Sequence, residues 1–181
     1  MGQRAAGRAG WGPVVGLTAF IYATLPVMPV VWRAVDRRAP NVLGPSAWLL
    51  ALCAVGAMWR TIWVHRAERR PLPLGVLAIT TGLFAWGITS PTFPAERFHF
   101  LEYGLLGMLT LRASFRTVPD RWAATFGLAS LVLCVIGVGD EVIQAMLPNR
   151  VFDWHDIWFN IYAGLLGFGA YLGMAPPTRR S

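Results

Sequence analysis

Apolar segments of nearly membrane-spanning length, separated by short loops rich in proline and arginine, constrain this chain more than any other feature. They occupy roughly residues 11–32, 46–64, 73–90, 98–113, 122–146 and 156–174. A helix needs about 20 apolar residues to cross the hydrocarbon core of a bilayer. Charged residues make up only 14% of the chain, whereas soluble domains carry about 25%. The sequence therefore predicts an all-α fold, a polytopic transmembrane helix bundle of about six spans.

The N-terminal half predicts three of these spans. Pro26 and Pro29 indicate a kink in the first segment, because prolines are tolerated in spans whose neighbours satisfy the freed backbone groups. The first apolar run is longer than the core of a signal peptide and lacks a clear cleavage site, so we interpret it as a retained span. We expect N-terminal helices over 1–95, a helical core over 96–175 and a free tail over 176–181.

The arginines predict the orientation of the chain in the membrane. Every one of its sixteen cationic residues is an arginine, and the formal charge is +7. With six spans and both termini in the cytoplasm, eleven arginines lie inside and five outside, which the positive-inside rule favours. Only the first loop, with Arg33, Arg37 and Arg38, opposes this N-in/C-in topology. The arginines form no basic stripe, so nucleic-acid binding is not expected, and we predict a multi-pass protein of the cytoplasmic membrane.

Polar residues gather near the ends of the last three predicted helices that face the outer side. Within each helix the spacing of i, i+3 or i+4 places them on one face, and Glu141 lies next to the face of Asp140 and Gln144. Such faces in a membrane bundle point inward or into a cavity. The groups are His99, Glu102 and Tyr103 in the fourth segment, Asp140, Glu141 and Gln144 in the fifth, Arg150 and Asp153 in the next loop, and Asp156 and Asn160 in the sixth.

Structural roles remain open for several of these residues. Asp153 and Asp156 have the spacing of residues that cap the start of a helix. Arg150 is placed to neutralise a carboxylate of the preceding helix, and Asn160 to form an interhelical hydrogen bond. His155 has only neighbouring acids as partners, which favours a solvated loop residue.

Two segments carry a family resemblance. They are ERFHFLEYGLLGMLTLRA, residues 96–113, and GDEVIQAMLPNRVFDWHDIWFNIYAGLLG, residues 139–167. Together they resemble the VanZ-like family of bacterial membrane proteins. The matching features are Arg97 and His99 entering one helix, Asp140-Glu141-x-x-Gln144 ending the next, then Arg150-x-x-Asp153-x-x-Asp156 and Asn160-x-x-x-Gly164. The basic residue stands two positions before the histidine, rather than the commoner three.

The resemblance implies a helical protein of the bacterial cell envelope, with residues 96–175 as the VanZ-like core. For the founding member of the family it implies low-level resistance to the glycopeptide teicoplanin. It implies no established reaction.

The first functional hypothesis is an enzyme acting at the outer leaflet on a membrane lipid or a lipid-linked envelope precursor. Carboxylates beside a histidine can serve as a general acid and base. We predict His99 and Glu141 as proton-transfer partners, with Asp140 as an orienting or second acid and Glu102 beside them. Arg150 would hold an anionic headgroup. The predicted ligand-binding residues are Arg97, Tyr103, Gln144, Arg150, Asp153, Asp156 and Asn160.

The second hypothesis is a non-catalytic accessory protein that binds an envelope ligand or modulates envelope assembly. A transporter ranks third, because the spans lack a chain of charges across the membrane. A metal-dependent enzyme, with a divalent ion held by His99, Glu102, Glu141 and Asp156, is a minor alternative. No recognised zinc motif is present, and we expect neither a metal nor a cofactor.

Overall fold

A computed structural model of the protein describes residues 2–64, 71–89, 94–119, 121–148 and 152–174. In these ranges the chain forms seven α-helices and no strand, which confirms the all-α fold class. Each of the six predicted segments contains a helix. The helices are α1 (Gly2–Thr24), α2 (Met28–Arg38), α3 (Leu43–Val64), α4 (Pro71–Thr89), α5 (Pro94–Thr117), α6 (Trp122–Ala145) and α7 (Trp154–Met174).

The first predicted segment is broken rather than kinked. The chain turns by 65° between the end of α1 and the start of α2. Pro26 has no N–H to donate at this point, and Pro29 lies in the first turn of α2, where a missing N–H costs nothing. The short helix α2 buries none of its residues and carries Arg37 and Arg38 in its last turn. The prediction of one helix over 11–32 was therefore wrong at this break.

Two described helices, α6 and α7, are long and apolar enough to cross a membrane. The bent pair α1–α2 would make a third if it counts as one broken span, and α4 contributes a shorter apolar stretch, Pro73–Thr89. The structure thus supports a helical membrane protein with two or three such spans. The number of six spans and the N-in/C-in orientation stay predictions.

Helices α5 and α7 run parallel and in close contact at the centre of the bundle. Phe100 packs on Phe159 near the starts of the two helices, with ring centres 4.7 Å apart. One or two turns further along, a Cβ on Gly107 would overlap the backbone of Gly164. Small residues permit such close approach of helices in membranes. The pair therefore depends on glycine at this crossing.

Helices α1, α4 and α6 run antiparallel to this pair. In α1, Trp11 Nε1 donates to Thr117 Oγ1 at the end of α5, over 2.8 Å. In α4, the backbone at Gly87 packs against Phe100 and Tyr162, near the starts of α5 and α7. The starts of α5 and α7 consequently meet the ends of α4 and α6. We call this end of the bundle, marked by Thr89, Pro94, Ala145 and Trp154, the polar end.

Helix α6 carries one buried stripe along its length. It begins with Thr125, Ala129, Leu133 and Ile136 in the apolar core. The same stripe continues at the polar end with Asp140, Glu141 and Gln144. Helical periodicity alone thus turns these polar side chains towards the other helices instead of the surroundings.

Candidate functional site

His99 lies between two carboxylates at the polar end. Its Nε2 is 2.7 Å from Asp140 Oδ2, and its Nδ1 is 3.2 Å from Glu102 Oε2. Glu102 is one turn further along α5, whereas Asp140 belongs to α6. The imidazole therefore links the two helices.

Asp140 is the centre of this group. Its side chain is fully buried, and the same oxygen that contacts His99 accepts hydrogen bonds from two amides. Gln144 Nε2 lies 3.1 Å away and Asn160 Nδ2 3.4 Å away. Helices α5, α6 and α7 thus each direct a polar side chain at one carboxylate. We call His99, Glu102, Asp140, Gln144 and Asn160 the histidine–carboxylate cluster.

Exposure increases from one side of the cluster to the other. The side chain of Asp140 is 0% exposed, while those of His99 and Glu102 are 23% and 26% exposed. A molecule approaching from outside the bundle would meet Glu102 and His99 first. Because both ring nitrogens face carboxylates, either the imidazole carries two protons or one carboxyl is protonated. The arrangement can therefore move a proton between a buried and a half-buried group.

Two tyrosines hold α6 against its neighbours just below the cluster. Tyr22 of α1 donates to the Ile136 carbonyl over 2.6 Å, and Tyr103 of α5 makes a longer bond of 3.5 Å to the same oxygen. Tyr103 is fully buried, and its ring centre is 4.9 Å from that of His99. These contacts fix the height and rotation of α6 one turn below Asp140.

Glu141 takes a different partner from the one predicted. Its Oε2 accepts the backbone N–H of Asp153 over 3.1 Å, and its side chain is buried. The structure pairs His99 with Asp140 and Glu102 instead. Glu141 therefore ties the start of α7 to the end of α6.

Asp153 acts as a cap for α7. Its Oδ1 accepts the backbone N–H of His155 over 2.8 Å, and the His155 ring lies 3.1 Å from the same oxygen. Both contacts favour the ionised carboxylate, so the backbone N–H first, and the ring second, lower the pKa of Asp153 below its ordinary value. The His155 side chain is otherwise exposed. This contact agrees with the capping role left open for Asp153, and Asp156 lies in the first turn of the same helix.

Three buried oxygen atoms near the cluster lack a hydrogen-bond partner within the described residues. They are Asp140 Oδ1, Glu141 Oε1 and Asn160 Oδ1. Buried polar atoms in folded proteins nearly always have a partner. All three are acceptors, so each would take a hydrogen bond from an N–H or O–H group.

The structure separates Arg97 from the cluster. Arg97 lies against α3, with its guanidinium carbon 5.9 Å from the centre of the Trp48 ring. Arg150 lies outside the described residues, so its pairing with a carboxylate of the preceding helix stays a prediction. Trp48 and Tyr22 were not predicted as neighbours of the site. Both stand in long apolar segments, where local spacing does not reveal a partner on a distant helix.

No set of three His, Cys, Asp or Glu side chains in the described ranges is arranged to hold a metal ion. The ligands considered for a metal-dependent enzyme are thus not grouped as that alternative requires. The histidine–carboxylate cluster is held together by hydrogen bonds among its own members.

Apolar helices surrounding a buried group of ionisable residues define an integral membrane protein with a polar site inside its bundle. The model of the VanZ/LLP1 family matches residues 72–175, more than half of the chain, and the chain belongs to this family. The resemblance to VanZ-like proteins is thereby confirmed. The matched region contains every member of the histidine–carboxylate cluster. No curated protein and no solved structure matches the chain.

Proposed function

We propose that this VanZ-like protein catalyses acid–base chemistry on a membrane lipid or lipid-linked envelope precursor at the polar end of its helix bundle. One observation carries the proposal: His99 bridges the fully buried Asp140 and the half-buried Glu102. General acid–base catalysis requires a proton-transfer group within hydrogen-bond reach of its partners. Because Asp140 is fully buried, its interaction with His99 is stronger than the same contact would be in water.

The contacts suggest a division of roles. Asp140 orients His99 through Nε2 and is itself positioned by Gln144 and Asn160. His99 and Glu102 exchange the proton with the ligand, because they form the exposed side of the cluster. Glu141 holds the start of α7 through the backbone N–H of Asp153. This assignment replaces Glu141 by Glu102 as the partner of His99.

A binding function is the second candidate, and the three unpartnered oxygen atoms favour it. Asp140 Oδ1, Glu141 Oε1 and Asn160 Oδ1 would accept hydrogen bonds from an ammonium group or a hydroxylated headgroup. Under this proposal the protein retains or presents an envelope ligand without changing it. Accessory action in envelope assembly, including a contribution to resistance against teicoplanin-type glycopeptides, would then follow from binding alone.

The location proposed for either function is the outer side of the bacterial cytoplasmic membrane. With the N-in/C-in orientation, the polar end faces outward, where envelope precursors are assembled into the cell wall. The relevant ligand would reach the cluster from the outer leaflet.

Turnover in a defined membrane tests the proposal. The purified protein is reconstituted into nanodiscs made from a bacterial polar lipid extract, and the lipids are followed over time by mass spectrometry. We expect the wild type to convert one lipid class. His99→Gln should slow that conversion by a factor of about 100 or more, the usual contribution of a general acid or base.

His155→Gln is the matched control, because this histidine is exposed and lies outside the cluster. It should react at the wild-type rate. Conversion by His99→Gln at the control rate contradicts catalysis by the cluster. If no lipid class is converted but one copurifies with the wild type and is lost in Asp140→Asn, the binding function replaces the catalytic one.

A further inference from the structure

An apolar groove of about 300 Å³ opens on the side of the bundle, between α3, α4, α5 and α7. Its walls include Ala54 and Met58 of α3, Phe84 of α4, Leu101 of α5 and Ala170 of α7. Its volume is at the lower end of the range for ligand pockets. Among the described residues that line it, Thr80 and Thr81 alone carry a hydroxyl group. The groove therefore suits a hydrocarbon chain.

The groove follows a single face of α5. Leu101, Gly104 and Met108 line it, and their spacing of three and four residues places them in one row. The row covers about 10 Å of the helix, at about 1.5 Å per residue. Leu105 beside it is 44% exposed. In a protein that spans a membrane, such an opening gives a lipid chain direct lateral access.

Arg97 continues this row by one turn towards the polar end. It stands four residues before Leu101, directly above the groove on the same face of α5. Its guanidinium lies over the Trp48 ring of α3, close to Gly44. The buried Nε has no hydrogen-bond partner within the described residues. A cationic donor with an open hydrogen-bonding position thus stands at one end of an apolar groove.

The groove is distinct from the histidine–carboxylate cluster. Arg97 and His99 are two residues apart, which turns them about 200° from each other around the helix. His99 accordingly contacts α6, whereas Arg97 contacts α3. A ligand in the groove would have α5 between itself and Asp140.

We propose that the groove holds one chain of a phosphate-bearing membrane lipid, whose phosphate is bound by Arg97. A guanidinium binds phosphate through paired charge-assisted hydrogen bonds, and the tryptophan below keeps it in place. The positive charge at the end of the groove selects an anionic amphiphile, and the apolar walls select its chain. This site requires no chemistry at His99, so the proposal of lipid binding is independent of the proposal of catalysis.

Lipid retention by the purified full chain tests this site. The protein is reconstituted in nanodiscs containing equal amounts of phosphatidylglycerol and phosphatidylcholine. It is then released from the nanodiscs, and native mass spectrometry measures the mass of the protein with its retained lipids. We expect the wild type to keep one phosphatidylglycerol. Arg97→Gln should weaken this preference at least about tenfold, the effect of losing one charge-assisted hydrogen bond. Arg112→Gln, an exposed arginine farther along α5, should leave it unchanged.

A second pair of variants tests the groove itself. Ala54→Phe places a ring inside the groove and should abolish retention of both lipids, whereas Cys53→Phe adds the same ring on the exposed neighbouring position and should not. If Ala54→Phe does not fold, Met58→Trp replaces it.

Equal retention by Ala54→Phe and Cys53→Phe, or by the Arg97 and Arg112 variants, overturns the proposal. Displacement of the lipid by soluble glycerol phosphate at the same concentration also overturns it, because Arg97 would then bind phosphate without a chain. A wild-type dimer that Ala54→Phe dissociates would identify a second copy of the protein as the occupant instead.

Discussion

At the scale of single residues, Asp140 determines the arrangement of the cluster. One of its oxygen atoms is shared by His99, Gln144 and Asn160. The spacing along the chain predicted a common face for Asp140 and Gln144, and one for His99 and Glu102. It did not predict that Asp140, rather than Glu141, meets His99. The two acids are adjacent, and their choice of partner depends on the rotation of α6 against α5.

Removing this carboxylate should destabilise the protein. Asp140→Ala deprives the buried Gln144 and Asn160 of their shared acceptor and leaves His99 with Glu102 alone. We therefore expect the free energy of unfolding to fall by about 3 kcal/mol. Unfolding of the purified protein in mixed micelles with increasing dodecyl sulfate measures this free energy. Asp36→Ala makes the same chemical change on the exposed helix α2. It should alter the free energy of unfolding by less than about 0.5 kcal/mol. Equal losses in both variants would show that the contacts of Asp140 do not stabilise the bundle.

At the scale of the helices, the parallel pair α5–α7 sets the geometry of the site. His99 and Asn160 stand at similar heights on the two helices, and both reach Asp140 from there. That height follows from the close crossing one or two turns further along, at Gly107 and Gly164. Small residues permit such close packing, but their positions in the sequence do not identify which helices they join.

Widening this crossing should cost stability and disturb the cluster. A methyl group at Gly107 would collide with the backbone of Gly164, so Gly107→Ala should lower the free energy of unfolding by about 2 kcal/mol. Gly127→Ala in α6 meets nothing within 4 Å and should raise it by about 0.5 kcal/mol through the helix preference of alanine. The same micelle titration compares the two. A neutral Gly107→Ala would contradict the close crossing.

The break between α1 and α2 belongs to the same scale. Pro26 and Pro29 predicted a kink in the first segment, but a proline in an apolar segment is compatible with a kinked span or with two helices. The outcome depends on what the second piece contacts. Here Trp32 of α2 stacks on Phe98 of α5, with ring centres 4.9 Å apart, so α2 follows a contact outside α1.

At the scale of the whole molecule, the helix directions place the start of α1 and the end of α7 away from the polar end. Residues on opposite ends should therefore be reached from opposite sides of the membrane. Pro148 follows α6 at the polar end, and Pro119 follows α5 at the other end; both are exposed. They form a matched pair for labelling.

Cysteine labelling checks the proposed orientation. In a variant with Cys53 and Cys134 replaced by serine, Pro148→Cys should react with an impermeant maleimide on intact cells. Pro119→Cys should react only after the membrane is opened. The reverse pattern would place the polar end in the cytoplasm and rule out the N-in/C-in topology.

The sequence by itself determined the helices, apart from the break between α1 and α2, and the polar faces of α5, α6 and α7. Both are local properties, because a period of 3.6 residues decides which side chains share a face. His99 with Glu102, and Asp140 with Gln144, could thus be grouped before any tertiary contact was known.

Only the tertiary structure decided which faces meet. His99 and Asp140 are 41 positions apart in the chain, and their contact depends on how α5 and α6 are rotated and shifted against each other. The same rotation turns Arg97 towards α3 and the apolar groove. These pairings arise from packing between distant helices, which spacing along the chain does not encode.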